Sequence, residues 1–170
     1  MTLLRGIILI TALLSGNTPR EAVENTWEAV QEGSPRAFLG SLTPGCSSGI
    51  LSACEKHLET LRTLSHSELG EVFASVRLEA APDEVEYWDG MAVLEMMMSS
   101  PSHHSILNSS RMTVDSVITA ENTATAHVSV TLPDIRTMVL ELPLSASPLG
   151  WRTGGLLPLV ESVLEHTAPR

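Results

Sequence analysis

The chain has 170 residues, with 10 Lys plus Arg against 20 Asp plus Glu and a formal net charge of −10 at pH 7. An acidic surface repels phosphate backbones and anionic lipid headgroups, so the composition argues against nucleic acid and anionic membrane surfaces as partners. Without an N-terminal export segment about 150 residues remain, which is the size of one domain with its own hydrophobic core.

Residues 1–16 have the layout of a bacterial export signal. Arg5 supplies one cation, and a largely apolar, uncharged stretch runs from Gly6 to Leu14 before the small residues begin. The stretch is too short to span a bilayer, because about 20 apolar residues are needed. We therefore expect an exported protein of the periplasm or cell envelope, in which residues 18–170 form a single domain.

The end of this segment is similar to a lipobox, the motif that the lipoprotein signal peptidase cuts. Leu14-Ser15-Gly16 match its first three positions, but Asn17 stands where the lipid-bearing cysteine would be. Since Asn17 has no thiol, lipidation is not expected. Ordinary cleavage near Gly16, an uncleaved N-terminal tether and an altered start site remain open, and only the tether would attach the chain to a membrane.

The next residues predict a helix that begins with a capping box. Thr18 is the expected N-cap, Pro19 the first helical residue, and Glu21 the reciprocal partner of the cap. Apolar side chains at helical spacing predict one face that packs on a core; they are Val23, Trp27 and Val30. Gly33 is the expected end of this helix.

A second short helix is predicted from Ser34 and Pro35, with Phe38 among its buried residues. Thr43-Pro44-Gly45 is expected to break the chain, and a less regular apolar stripe predicts a third helix from about Ser48 to Leu64. A fourth helix is predicted after Ser65, with Glu68 three residues on, and a fifth from Pro82 to about Ser99. His103-His104 follow in a Ser-rich stretch, which predicts a loop.

The C-terminal third changes to a period of two, which is typical of strands with one buried face. Ala124 to Leu132 and Met138 to Leu144 predict an antiparallel hairpin around Pro133-Asp134-Ile135-Arg136. We expect a preceding strand, a short final strand and a closing helix; these are Met112 to Ile118, Gly150 to Thr153, and about Pro158 to His166. The chain is therefore predicted to be α+β, with N-terminal helices on an antiparallel sheet of three or four strands.

Cys46 and Cys54 are separated by seven residues in a Ser- and Gly-rich region. In an oxidising compartment such a close pair most simply forms a local disulfide, while two independent core cysteines are the alternative. His57 lies three residues after Cys54, but no second ligand pair completes a zinc site, so we expect no metal and no cofactor.

The order of these elements resembles a known superfamily. The opening TPREAVENTWEAVQEGSPRAFLGSLTP is similar to the first two helices of nuclear transport factor 2-like (SnoaL-like, cystatin-type cone) domains, of the kind carried by uncharacterised bacterial lipoproteins. Val139 to Leu144 followed by Gly150-Trp151-Arg152 is also similar to that family. The resemblance implies helices over a cone-like sheet. It does not supply a reaction, because the fold hosts isomerases, dehydratases, hydrolases and noncatalytic binding domains.

We expect a noncatalytic binding domain whose site is the cone opening. Trp27, Tyr87, Trp88 and Trp151 are the candidate ligand-binding residues, although packing in the core is the commoner role of such side chains. The expected ligand is a small apolar molecule or an envelope protein. The polar strand face predicts a homodimer interface as a further possibility; its residues are Thr125, His127, Ser129 and Thr131.

The alternative is a small hydrolase, isomerase or lyase. Such an enzyme needs an acid or base whose pKa an apolar pocket moves toward the working pH. Asp89, beside Tyr87 and Trp88, and His127 are its candidates, and Asp115 is a weaker one. The sequence contains no Gly-rich phosphate loop, nucleophile elbow or His-Glu-x-x-His stretch, which argues against the commoner enzyme classes.

Overall fold

The computed structural model describes residues 18–133 and 136–166, so the predicted export signal, Asn17 and the centre of the predicted hairpin turn lie outside the described residues. In chain order the elements are α1 (Pro19–Gln31), α2 (Pro35–Ser41), α3 (Pro44–Leu61), α4 (His66–Ser75), a 3₁₀ helix (Pro82–Tyr87), α5 (Gly90–Ser99), α6 (Pro101–Ser109), β1 (Arg111–Ala120), β2 (Thr123–Thr131), β3 (Thr137–Ser147), β4 (Gly150–Thr153) and α7 (Leu157–His166). The prediction of an α+β fold, with helices first, an antiparallel sheet second and a closing helix, is confirmed. None of the helices in the described ranges is long and apolar enough to cross a membrane.

Capping residues start the helices as the sequence indicates. The Glu21 N–H donates to the Thr18 hydroxyl at 3.2 Å, and the Thr18 N–H donates to the Glu21 carboxylate at 2.9 Å. Ser65 and Glu68 form the same reciprocal pair at the start of α4. Each pair satisfies backbone donors that a helix leaves without intrahelical partners, so both capping predictions are confirmed.

The second helix ends at Ser41, before Thr43-Pro44-Gly45 as predicted, but the next helix starts at Pro44 and not at about Ser48. The Thr43 hydroxyl accepts from the Cys46 N–H at 3.4 Å, and Pro44 is the first residue of α3. Thr43 therefore starts a helix in the way that Thr18 does, because a proline at the first helical position loses no intrahelical hydrogen bond.

Two further predictions for the middle of the chain need correction. The single helix predicted from Pro82 to Ser99 is a 3₁₀ helix followed by α5, and Asp89 caps α5 by accepting from the Ala92 N–H at 2.8 Å. The loop predicted at His103-His104 is helix α6. Pro101 at its start supplies the same first-turn preference as in α1 to α3.

The sheet is an antiparallel meander with the order β1-β2-β3-β4. The predicted alternation is confirmed on β2 and β3, whose inner side chains are buried beneath the helices; they are Ala124, Ala126, Val128, Val130, Leu142 and Leu144. A bulge at Asp115 shifts the register of β1 between Val114 and Ser116. Val114 and Val117 thus both face inward although they are three positions apart, an odd spacing that would place them on opposite faces of a regular strand.

The connection after α2 meets the sheet at β4. A parallel bridge joins Leu42, just after α2, to Thr153, and the Thr43 N–H donates to the Thr153 carbonyl at 2.8 Å. Helix α7 then crosses to α3, where Leu157 lies so close to Gly49 that a Cβ there would be 3.0 Å from a Leu157 methyl carbon. Helices and sheet therefore share one core.

Candidate functional site

An apolar cavity of about 290 Å³ lies between the helices and the inner face of the sheet. Its lining residues belong to α1, α2, α5, α6 and α7 and to β1, β2 and β3, with Leu156 in the connection before α7. Of the 19 lining residues, 18 are hydrophobic and the other is Thr26. A concave site with so few polar groups suits an apolar ligand.

The single hydroxyl in this lining already has partners. Thr26 Oγ1 donates to the Ala22 carbonyl at 2.8 Å and lies 2.9 Å and 3.0 Å from the hydroxyls of Ser41 and Thr153. All three hydroxyl residues are buried. Because the oxygen of Thr26 is engaged on that side, its methyl group is what remains for the cavity.

Side-chain exposure shows where the cavity opens. Ile106 of α6 is 48% exposed and Leu159 of α7 is 42% exposed, although both line the cavity. Phe38, Leu94 and Val128, which also line it, are at most 4% exposed and form its inner end. The mouth therefore lies between α6 and α7.

Long-range contacts hold the elements around the mouth. The Gln31 side-chain amide at the end of α1 donates to the Leu107 carbonyl of α6 at 3.3 Å. On the other side, α7 packs on α3 through Leu157 and Gly49. The two helices beside the opening are thus held by different partners, α6 by α1 and α7 by α3.

Among the four aromatic residues predicted to bind a ligand, Trp27 lines the cavity. Trp88 packs on Phe73 with ring centroids 5.6 Å apart, and Trp151 packs on the core from β4. Tyr87 is 87% exposed. The structure therefore does not bring these four side chains together at one opening.

The acid and base predicted for the enzyme alternative lie away from the cavity. Asp89 is exposed and caps α5, and His127 faces outward from β2 with Nδ1 3.6 Å from the Glu141 carboxylate. Asp115, at the β1 bulge, accepts from the Ser129 hydroxyl at 2.5 Å on the same outer face. None of the three lines the apolar cavity, so the geometry does not provide the pocket that the alternative needs.

The outer face of the sheet carries the residues predicted for a homodimer. Thr125, His127, Ser129 and Thr131 are half-buried on β2 and alternate with the core residues. The homodimer stays a prediction.

The predicted disulfide between Cys46 and Cys54 is wrong, since both cysteines are free. They lie on the same helix, and eight helical residues span about 12 Å along the axis, whereas a disulfide needs Cα atoms within about 7 Å. Cys54 is buried, and this burial raises the pKa of its thiol to about 11. Cys54 is accordingly a core residue with little reactive thiolate.

Two other features of the cavity wall were not predicted from the sequence. Met96, Met97 and Met98 are all buried, because α5 is covered on more than one side, and the last two line the cavity. The hydroxyl group of Thr26 lies on the inward stripe of α1, where a polar residue signals a buried hydrogen bond. In the described ranges, no group of three or more His, Cys, Asp or Glu side chains is placed to hold a metal ion.

Comparison of the chain with protein-family models, with curated proteins and with solved structures finds no match.

Proposed function

We propose that the protein is a noncatalytic domain of the bacterial cell envelope that binds a small apolar ligand in the cavity between the helices and the sheet. The observation that carries this proposal is the lining: 18 hydrophobic residues and one threonine whose hydroxyl is engaged elsewhere. Catalysis requires groups that bond to reacting atoms, and none of the lining side chains is ionisable.

The cellular location and the family are part of the same proposal. The layout of residues 1–16 supports export, and the likeness of the opening helices supports a relationship to nuclear transport factor 2-like domains. The helix-over-sheet architecture is compatible with that relationship. Many functions share such folds, so the ligand has to be argued from the cavity itself.

Equilibrium dialysis against naphthalene tests the proposal, because naphthalene is apolar and small enough for the cavity. We expect one naphthalene per chain. Val130→Phe, which places a ring in the cavity, should weaken binding at least about tenfold. Val139→Phe makes the same change on β3 at a position that is 69% exposed, and it should leave binding unchanged.

Thermal unfolding of each variant checks that the fold is kept, and Leu142→Phe provides a second filled cavity. Absence of naphthalene binding to the wild-type protein would reject the proposal. Equal binding by the Val130 and Val139 variants would place the ligand elsewhere.

A further inference from the structure

The cavity indicates a more specific ligand, an inference that rests on the function proposed above. We propose that it holds a single unbranched acyl or alkyl chain of about a dozen carbon atoms. The chain enters tail first, and a neutral or zwitterionic head remains in solvent between α6 and α7.

The lining determines what the buried part of the ligand can contain. A polar group that loses water without gaining a hydrogen bond costs several kcal/mol, roughly 2 to 7 by transfer measurements. The lining offers one hydroxyl, Thr26, which is already engaged with Ala22, Ser41 and Thr153. The buried part therefore has no hydrogen-bonding atoms, a condition that a hydrocarbon chain meets over many consecutive carbons.

The volume determines how much chain fits. A protein cavity of about 150 Å³ binds benzene, which has six carbon atoms. This cavity, at about 290 Å³, is about twice that size and so holds about a dozen carbons. Its wall on α1 runs from Val23 to Val30, which is about 10 Å of helix axis.

The exposure of the lining side chains, which increases from one end of the cavity to the other, indicates which end of the ligand chain enters first. The inner end at Phe38, Leu94 and Val128 is closed, and the lining becomes exposed at Ile106 and Leu159. A ligand chain with a polar head therefore fits the cavity when its methyl end lies at the closed apolar end and its head lies in solvent at the mouth.

The charged residues near the mouth indicate what charge the head group of the ligand can carry. Neither α6 nor α7 contains Lys or Arg, and α7 carries Glu161 and Glu165, both exposed. Arg20 of α1 lies 4.0 Å from Glu24, and Arg111 lies on the outer face of β1, opposite the cavity. These helices present no permanently charged cation to pair with a carboxylate or phosphate monoester, since their only basic residues are histidines (His103, His104 and His166), so an anionic head is disfavoured near neutral pH.

A series of n-alkanols from six to sixteen carbons tests the length. Competition with naphthalene should show affinity rising about fourfold for each added CH₂ and levelling off near a dozen carbons. In Val130→Phe the plateau should move to a shorter chain, and in Val139→Phe it should stay. Affinity that keeps rising through sixteen carbons would indicate surface adsorption and overturn the inference.

Quenching of tryptophan fluorescence tests whether the ligand chain lies in the cavity. An alkanol brominated near its methyl end should quench the emission of Trp27, which lines the cavity, and quenching should be lost in Trp27→Phe. Trp88→Phe is the matched control, because Trp88 packs on Phe73 outside the cavity lining. Quenching that survives Trp27→Phe and disappears in Trp88→Phe would overturn the assignment.

Three competitors with chains of the same length test which head group the site accepts and which class of molecule supplies the chain. Dodecanol and dodecanoyl lysophosphatidylcholine should compete within about threefold of each other, since the head stays outside. Dodecanoate should bind more weakly at low ionic strength, and the difference should narrow with salt. Tightest binding by dodecanoate, or failure of the lysolipid alone, would overturn the assigned head.

Farnesol tests the unbranched chain, because its fifteen carbons exceed the estimated capacity. Tighter binding of farnesol than of dodecanol would assign the site to isoprenoids instead. Naphthalene binding without any chain-length dependence would overturn the acyl assignment alone. Absence of naphthalene binding would reject the proposed function as well.

Discussion

The Thr26 hydroxyl connects α1 to α2 and β4 through a buried cluster with Ser41 and Thr153. Thr26→Val keeps the shape of the side chain and removes the hydroxyl. We expect the free energy of unfolding to fall by about 1 to 3 kcal/mol, because buried partners lose a hydrogen bond. Urea unfolding measures this loss, and naphthalene binding should persist because the methyl group that borders the cavity is retained.

Thr60→Val is the control for this prediction. Thr60 also donates to a carbonyl four residues earlier, that of Lys56 at 3.4 Å, but it is exposed. The same chemical change should therefore alter the free energy of unfolding by less than about 0.5 kcal/mol. Equal losses at the two positions would show that helix propensity, and not the buried cluster, accounts for the effect.

His57 makes the stability of the fold depend on pH. It is buried on α3, and this burial lowers its pKa below the usual value of 6.5. Below about pH 6.5 the unfolded chain binds a proton that the folded chain does not. The free energy of unfolding therefore decreases as the pH is lowered. Above that pH the imidazole is neutral in both states and the effect is absent.

Urea midpoints between pH 5 and 7.5 measure this dependence. The slope should flatten in His57→Gln and persist in His66→Gln, which alters an exposed histidine of α4. Glu68 acts in a separate range, because hydrogen bonds from Ser65 lower its pKa below the usual 4.5. An unchanged slope in His57→Gln would assign the pH dependence to other groups.

At the scale of elements, α5 is fixed by a carboxylate from a different helix. The Gly90 N–H donates to Glu55 Oε1 at 2.6 Å, and a Cβ at Gly90 would lie 2.9 Å from that oxygen and 3.0 Å from the Leu51 carbonyl oxygen. Gly90→Ala should therefore lower the free energy of unfolding by about 1 to 3 kcal/mol, because the backbone of α3 limits the relaxation.

Gly70→Ala is the matched change in α4. A Cβ there has no atom within 4 Å, so alanine should raise the free energy of unfolding by about 0.5 to 1 kcal/mol through helix propensity. Urea denaturation of both variants checks the opposite signs. A gain at both glycines would mean that Glu55 moves aside and that α5 is not anchored through this contact.

The elements differ in how much of them the sequence could predict. The caps at Thr18 and Ser65 are local signals, and alternation on β2 and β3 needs only one strand at a time. The start of α5 also receives a hydrogen bond from Glu55, which is 35 residues from Gly90. No local pattern contains such a contact.

The candidate site was predicted less completely than the fold. Trp27 lies on a regular stripe and was identified, whereas Ile106 was missed because its helix was predicted as a loop. Asp89 was given a chemical role although its place before an apolar run also fits an N-cap. A cavity with lining residues from eight elements emerges only when the tertiary structure assembles them.

At the scale of the whole molecule, the cavity wall belongs to both layers. Val23 and Leu94 come from helices, Val128 and Leu142 from strands, and α7 crosses from β4 back to α3. Neither layer can bury its apolar face without the other. The described residues should therefore unfold as one cooperative unit.

Two probes in one urea titration test this cooperativity. Far-ultraviolet circular dichroism reports mainly the helices, and in a Trp27→Phe, Trp88→Phe variant the emission reports Trp151 on β4. We expect coincident transitions. In the wild-type protein, a cavity ligand at about 100 times its dissociation constant should add about 2.7 kcal/mol to the free energy of unfolding. Loss of ellipticity before the Trp151 emission changes would contradict a single domain, because the sheet would then persist without the helices that cover it.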